Sequence, residues 1–170
     1  MNRYRRSIVI AVSIASSLFI LDAFILNQGG IAAITAIAVI FVMLPRAVLA
    51  WRGHDRELAQ ARAMKAAVYA LMVIGVFGAN YLNNALAQSR AEELITAARH
   101  YEARHHRLPD GLQDLAPDFI PEVPLAKYTL LFNNFHYIAI KGRHSLFWVD
   151  VPPFGRPTYR FEENKWDYID

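Results

Sequence analysis

The residues of this chain best suited to chemistry are its histidines. Five of the six, His100, His105, His106, His136 and His144, fall in the second half. Imidazoles make a metal site readily when two share one helix face, as in the i,i+4 pair of H-E-x-x-H. Here His100 and His105 are five apart, His105 and His106 are adjacent, and His136 and His144 fall on neighbouring expected strands. They read as surface or structural histidines. The chain has no cysteine, which excludes zinc–thiolate sites, disulfides and thiol nucleophiles. Ser145 follows His144, but no Gly-x-Ser-x-Gly elbow surrounds it. The eight glycines are scattered and form neither a P-loop nor a dinucleotide loop. Glu92, Glu93 and Glu102 share one expected helix and read as its solvated face. The expectation is therefore a protein that is not an enzyme, with no catalytic residue, metal ligand or cofactor and no evident small-molecule substrate.

Two other groups say more. Asp22 is the one acid inside a long apolar stretch, and carboxylates in such positions are costly and often functional. It precedes the uncharged connector Asn27-Gln28-Gly29-Gly30 by five residues, which puts it near an interface. Asn80, Asn83 and Asn84 fall at a similar depth on a later helix. A polar contact among Asp22, Asn80 and Asn83 is expected, with a packing or anchoring role. The second group is aromatic: Tyr128, Phe132, Phe135, Tyr137, Phe147, Trp148, Tyr159, Phe161, Trp166 and Tyr168. Most should fill the core of a small sheet, Trp148 among them. A domain this small cannot hide them all, so strand alternation assigns Tyr159, Trp166 and Tyr168 to an exposed partner-binding patch.

The elements that position these residues follow from apolar runs and charge. Ser7 to Leu26, Ile31 to Leu44 and Ala66 to Leu82 are almost uncharged, and a bilayer core needs about 20 apolar residues per helix. Arg3, Arg5 and Arg6 precede the first run; Arg46, Arg52, Arg56, Arg62 and Lys65 lie between the second and third. Basic residues stay on the cytoplasmic side, so the N-terminus should be inside and everything after the third span outside. Residues 1–87 carry eight basic and three acidic side chains, a net of +5, whereas residues 88–170 carry ten and twelve, a net of −2. The basic character thus belongs to topology and not to a nucleic-acid surface. The first run is longer than a signal-peptide core and lacks a small-x-small cleavage site, so it reads as a retained helix.

Small residues at Ala11, Ala15, Ser13, Ser17, Ala32, Ala36, Gly75, Gly78 and Ala79 suit close helix packing, either within the chain or against a partner. Pro45 is expected to bend or end the second helix. From about Met64 to Arg104 no proline intervenes, and Leu86, Leu94, Ala97, Ala98 and Tyr101 give a one-sided apolar face. One continuous helix is expected there. Asp110 should cap a short helical turn, and Pro117, Pro121 and Pro124 should enforce an extended connector. Tyr128 to Phe132, Phe135 to Lys141, Ser145 to Val151, Thr158 to Glu162 and Lys165 to Ile169 read as strands, with turns at Asn133-Asn134, Gly142-Arg143 and Glu163-Asn164. The fold class is a membrane α part plus an α+β part: 1–87 a three-helix transmembrane region, and 88–170 an exported long helix packed on a small antiparallel sheet.

The stretch Ala97-Ala98-Arg99-His100-Tyr101-Glu102-Ala103-Arg104-His105-His106-Arg107-Leu108-Pro109, followed by Leu112, Leu115, Pro117, Phe119-Ile120-Pro121 and Val123-Pro124, resembles the globular part of type IV pilins, and particularly the major pseudopilins of type II secretion. Members of that family tend to have a helix ending in tyrosine, a G-x-[YF]-P turn, a short L-x-x-L segment and a proline-bounded connector before a sheet. The resemblance covers about 91–124 and the sheet beyond. It lacks the prepilin-peptidase signature, and two additional spans precede the pilin-like helix. Extracting three spans from lipid would expose apolar side chains at about 0.8 kcal/mol per CH₂, so the chain should not polymerise as a pilin does. The resemblance implies at most a resident assembly partner.

The function expected is that of a non-catalytic accessory or assembly subunit of an envelope machine of the pilus or secretion type. It would lie in a bacterial inner membrane with its C-terminal domain periplasmic. Its partners would be membrane lipids and other membrane or envelope proteins, engaged through the sheet edge or the aromatic patch, with no nucleic acid. The alternative is a small accessory subunit of an unrelated transporter or oxidoreductase, docked through its transmembrane helices.

Overall fold

The computed structural model describes residues 3–170, which divide into two compact units with the boundary between Asn80 and Tyr81. Three helices are long and apolar enough to cross a membrane, Tyr4–Leu26, Gly30–Arg52 and Arg56–His105. In the first unit, α1 (Arg3–Ile20) continues as a π-helical stretch over Leu21–Leu26. The next helix comprises α2 (Gly30–Ala38), a π-helical stretch at Val39–Met43, and α3 (Leu44–Arg52). Of the two outcomes expected at Pro45, a bend or an end, the helix does not end there. Proline has no N–H to give and crowds the preceding turn; the wider π turn falls directly before it, where such strain is taken up.

Small residues set the packing of this unit. Ala11, Ala15, Ala23 and Ala32 are buried. A Cβ on Gly75 would lie 3.0 Å from the Phe19 ring, so a glycine lets the two helices approach at that level. Ser13 and Ser17 instead face outward and return their hydroxyls to the carbonyls of Val9 and Ser13. Gly78 meets nothing within 4 Å. The helix α4 (Arg56–His105) is 50 residues long and unbroken, as the absence of proline predicted. It begins where the Asp55 carboxylate accepts the Leu58 amide at 3.0 Å, an ordinary N-cap.

In the second unit, the C-terminal part of α4 packs Ala87, Ala91, Leu94, Ala97, Ala98 and Tyr101 against the sheet. Their spacing of three and four keeps one helix face apolar. The sheet is an antiparallel meander in the order β1-β2-β3-β4: β1 (His136–Ile140), β2 (Arg143–Phe147), β3 (Arg156–Arg160) and β4 (Lys165–Ile169). Leu146, Trp148, Tyr159 and Phe161 complete the core, and a 3₁₀ turn at Leu112–Leu115 plugs it with two buried leucines. The β1–β2 turn is Lys141-Gly142, one residue earlier than expected, with φ of 51° and 72°.

Two local expectations need correction. Asp110 is not the cap of the 3₁₀ turn. Its carboxylate pairs with Arg107, and Asp114 reaches back to accept the amides of Asp110 and Gly111. Tyr128 to Phe132 is not a strand. The amides of Ala126 and Lys127 both turn to the Asn133 carbonyl, closing a loop, and the Tyr128 amide is taken by the Asn83 side chain. Donors spent in this way are lost to a ladder.

Candidate functional site

Asp22 is fully buried in the first unit. Its two carboxylate oxygens accept the Gly29 amide at 2.9 Å and the Ala32 amide at 2.7 Å. The acid thus caps α2 from the preceding helix, where unpaired amides and the positive end of the helix dipole favour an anion. Asn27 and Gly29, both at positive φ, turn the chain between them. The expected side-chain contact with Asn80 and Asn83 is corrected accordingly: backbone amides take the carboxylate. Asn80, on α4, lies beside Gly29, its Nδ2 3.5 Å from where a Gly29 Cβ would stand. Asn83 belongs to the second unit, where its Oδ1 accepts the Tyr128 amide at 3.1 Å. These bonds give Asp22 a structural task.

In the second unit the histidines are spread apart, and no group of three potential metal ligands occurs among the described residues. His144 bonds Glu162 through both its ring Nδ1, at 2.7 Å, and its backbone amide. Burial pushes the Glu162 carboxyl up, but the His144 bonds outweigh it and hold the group below its usual range. His136 stacks on Phe147 across the β1–β2 pair, and His105 lies against Tyr101.

The three aromatics assigned to a binding patch share one face of the sheet, because Tyr159 pairs with Trp166 and Tyr168 is two residues further along β4. That face is the inner one. Tyr159 is buried, Trp166 is half-buried against Trp148, and of the three only Tyr168 is exposed. The assignment of Tyr159 to the surface is therefore corrected. Alternation fixes which side chains share a face but not which face meets the helix. Trp148 is buried, as expected.

Exposed apolar residues stand on both edge strands, Tyr168 and Ile169 on β4 among them. Ile138 and Ile140 on β1 are 40% and 60% exposed, and β1 is an edge strand paired only with β2. The turn Lys141-Gly142 has both residues at positive φ, the two-residue form whose closing pair, Ile140 and Arg143, is hydrogen-bonded. Bonded and non-bonded pairs alternate along an antiparallel ladder. The N–H and C=O of Tyr137 and Ala139 therefore point away from β2, toward the open edge. The other edge, β4, is guarded by charge. Arg160 reaches Asp167 at 3.0 Å and Glu163 at 3.2 Å, and Lys165 reaches Glu163 at 3.0 Å.

One residue escaped the sequence reading. Lys127 is fully enclosed, and its ammonium donates to the Asp150 carbonyl at 2.7 Å. Burial lowers its pKa to about 8, with the Asp150 charge opposing. A lysine between alanine and tyrosine carries no local signal of burial. No family model, curated protein or solved structure is found similar to this chain.

Proposed function

We propose that this chain is a non-catalytic, membrane-anchored accessory subunit of an envelope assembly, and that its sheet domain binds a partner protein by strand addition along β1. In this reading the three apolar helices span a bacterial inner membrane with the N-terminus cytoplasmic and the sheet domain periplasmic. The outward apolar belt of the helices supports the anchor: Ile34, Phe41, Leu71 and Ile74 are each about two-thirds exposed or more, as lipid-facing residues would be. The expected likeness to pseudopilins supports the envelope setting.

The observation that carries the proposal is the asymmetry of the two sheet edges. Proteins usually blunt an open edge with charge, proline or a bulge. The β4 edge has its charged network. The β1 strand, His136-Tyr137-Ile138-Ala139-Ile140, has no lysine, acid or proline, and it exposes two isoleucines beside free backbone groups. That is the arrangement an added strand uses, with main-chain bonds for affinity and alternate side chains for specificity.

The test is a photo-crosslinking residue at Ile140 and, separately, at Lys165 of the full chain in its native membrane. Adducts to another envelope protein should form from 140 and not from 165. Ala139→Pro, which removes one outward donor and leaves the β2 ladder intact, should abolish them. Equal labelling from both edges, or labelling indifferent to the proline, would sink the proposal.

A further inference from the structure

The loop Leu125-Ala126-Lys127-Tyr128-Thr129-Leu130-Leu131-Phe132 is inside out. Its two most polar side chains are hidden: Lys127 is 0% exposed and Thr129 is 7% exposed. Lys127 turns inward to the Asp150 carbonyl, and the Thr129 hydroxyl bonds the Leu131 carbonyl at 2.8 Å. Its apolar side chains face outward: Leu125 45%, Tyr128 62%, Leu130 69%, Leu131 43% and Phe132 40%. A loop in water shows the opposite arrangement, and an exposed apolar patch of this kind marks a surface that meets something apolar.

The loop's attachment says what that is. Asn83 on α4 accepts the Tyr128 amide, and Arg90, two turns further on, donates to the Leu125 carbonyl at 2.7 Å and to the Tyr128 hydroxyl. The loop is thus held level with residues 83–90 of the helix. Immediately before them, Tyr81 and Leu82 are 74% and 68% exposed and end the third apolar run. Where such a helix leaves a bilayer, aromatic residues sit at headgroup level and basic residues at the phosphates. Tyr128 lies under the Arg90 guanidinium, 4.6 Å from it, a pairing that suits this zone.

We infer that the loop 125–132 is a second membrane contact, dipping Leu130, Leu131 and Phe132 into the outer-leaflet interface beside the point where α4 emerges. The inference rests on the membrane-anchored reading above. Its depth is shallow, because a loop with bonded and unbonded amides can enter the interface but not the hydrocarbon centre. The loop would fix the sheet domain at the membrane surface and so hold the β1 edge at a set height above it.

The absence of cysteine makes the test direct. Single-cysteine variants Leu130→Cys, Tyr168→Cys and Ile74→Cys are labelled with an environment-sensitive fluorophore in the full chain. Each is placed in zwitterionic nanodiscs at one chain per disc. The label at 130 should show blue-shifted emission, quenching by spin-labelled lipid and protection from aqueous iodide, as at 74. The label at 168 should show the reverse. A lipid-quenched label at 74 with an iodide-quenched label at 130 would overturn the loop contact and spare the anchor. A label at 74 quenched by iodide would overturn both. Protection at 130 from iodide and lipid alike would mean that protein covers the loop, and would also overturn the inference.

Discussion

Replacing Lys127 by methionine should reverse its effect on stability between neutral and alkaline pH. The amine is fully enclosed and its pKa falls from 10.5 to about 8, because burial disfavours the charged form more than the Asp150 charge restores it. In the unfolded chain it titrates near the ordinary value. Between these two values the unfolded chain binds the additional proton, so the group's contribution to stability rises with pH from about 8 to 10.5 and is flat below. The gap, at about 1.4 kcal/mol per pH unit, makes the buried ammonium costly by about 3 kcal/mol at pH 7. Methionine has a similar length and no charge, so it avoids that cost. It also leaves the Asp150 carbonyl without its donor, a loss of about 1–3 kcal/mol. Lys127→Met should therefore equal the parent or exceed it by up to about 2 kcal/mol at pH 7, and fall about 1–3 kcal/mol below it near pH 10.5. The assay is urea unfolding of the full chain in nanodiscs, followed by tryptophan emission in a Trp51→Phe background. The signal then comes from Trp148 and Trp166, both in the sheet domain. Comparing variant with parent at each pH cancels the other titrating groups. A difference that stays constant from pH 7 to 10.5 refutes the buried-ammonium argument.

The remaining predictions concern single contacts. Asp22→Ala strips two buried amides of a charged acceptor, at about 1.5–3 kcal/mol each. Loss of about 3–6 kcal/mol of bundle stability is expected in detergent denaturation, with Asp22→Asn falling between; an unchanged midpoint would show that the carboxylate does not cap α2. Trp148→Ala should cost about 3–5 kcal/mol in the urea assay, whereas Tyr168→Ala should cost less than about 1 kcal/mol. Equal losses at the two positions would mean that Tyr168 is enclosed as deeply as Trp148, against its exposure.

What the sequence disclosed and what it withheld follow the range of the interactions involved. The three apolar helices and the unbroken α4 rest on runs of adjacent residues, and so were legible. The last four expected strands were found within a few residues of their places, since β-branched and aromatic alternation is also local. The strand expected at Tyr128 to Phe132 had the same composition but became a loop. Its deciding partners are 45 and 38 residues away, at Asn83 and Arg90. Burial of Lys127 was hidden for the same reason. Asp22 left a trace that could have been used: an acid a few residues before a Gly-Gly pair that opens a helix is placed to cap it. The surface assignment of Tyr159 failed because a period of two leaves the choice of face to the packing helix.

The two sheet edges show how the same limit bears on function. Which strands would be outermost could not be read from composition, because the sheet order is a tertiary fact. Once β1 and β4 are known to be the edges, their sequences differ in a way that matters. Lys165 and Asp167 guard β4, while Ile138, Ala139 and Ile140 leave β1 open. An open edge bearing isoleucines is a hazard in a free periplasmic domain, since any unpaired strand can add to it. It is tolerable on a domain held at a membrane surface, where the approach of other chains is restricted. The inside-out loop would supply that restraint. If the loop does lie in the interface, losing its grip by Leu130→Ser and Leu131→Ser together should broaden the crosslinks from Ile140 to many envelope proteins. If the loop has no such task, the adduct pattern should stay as it was.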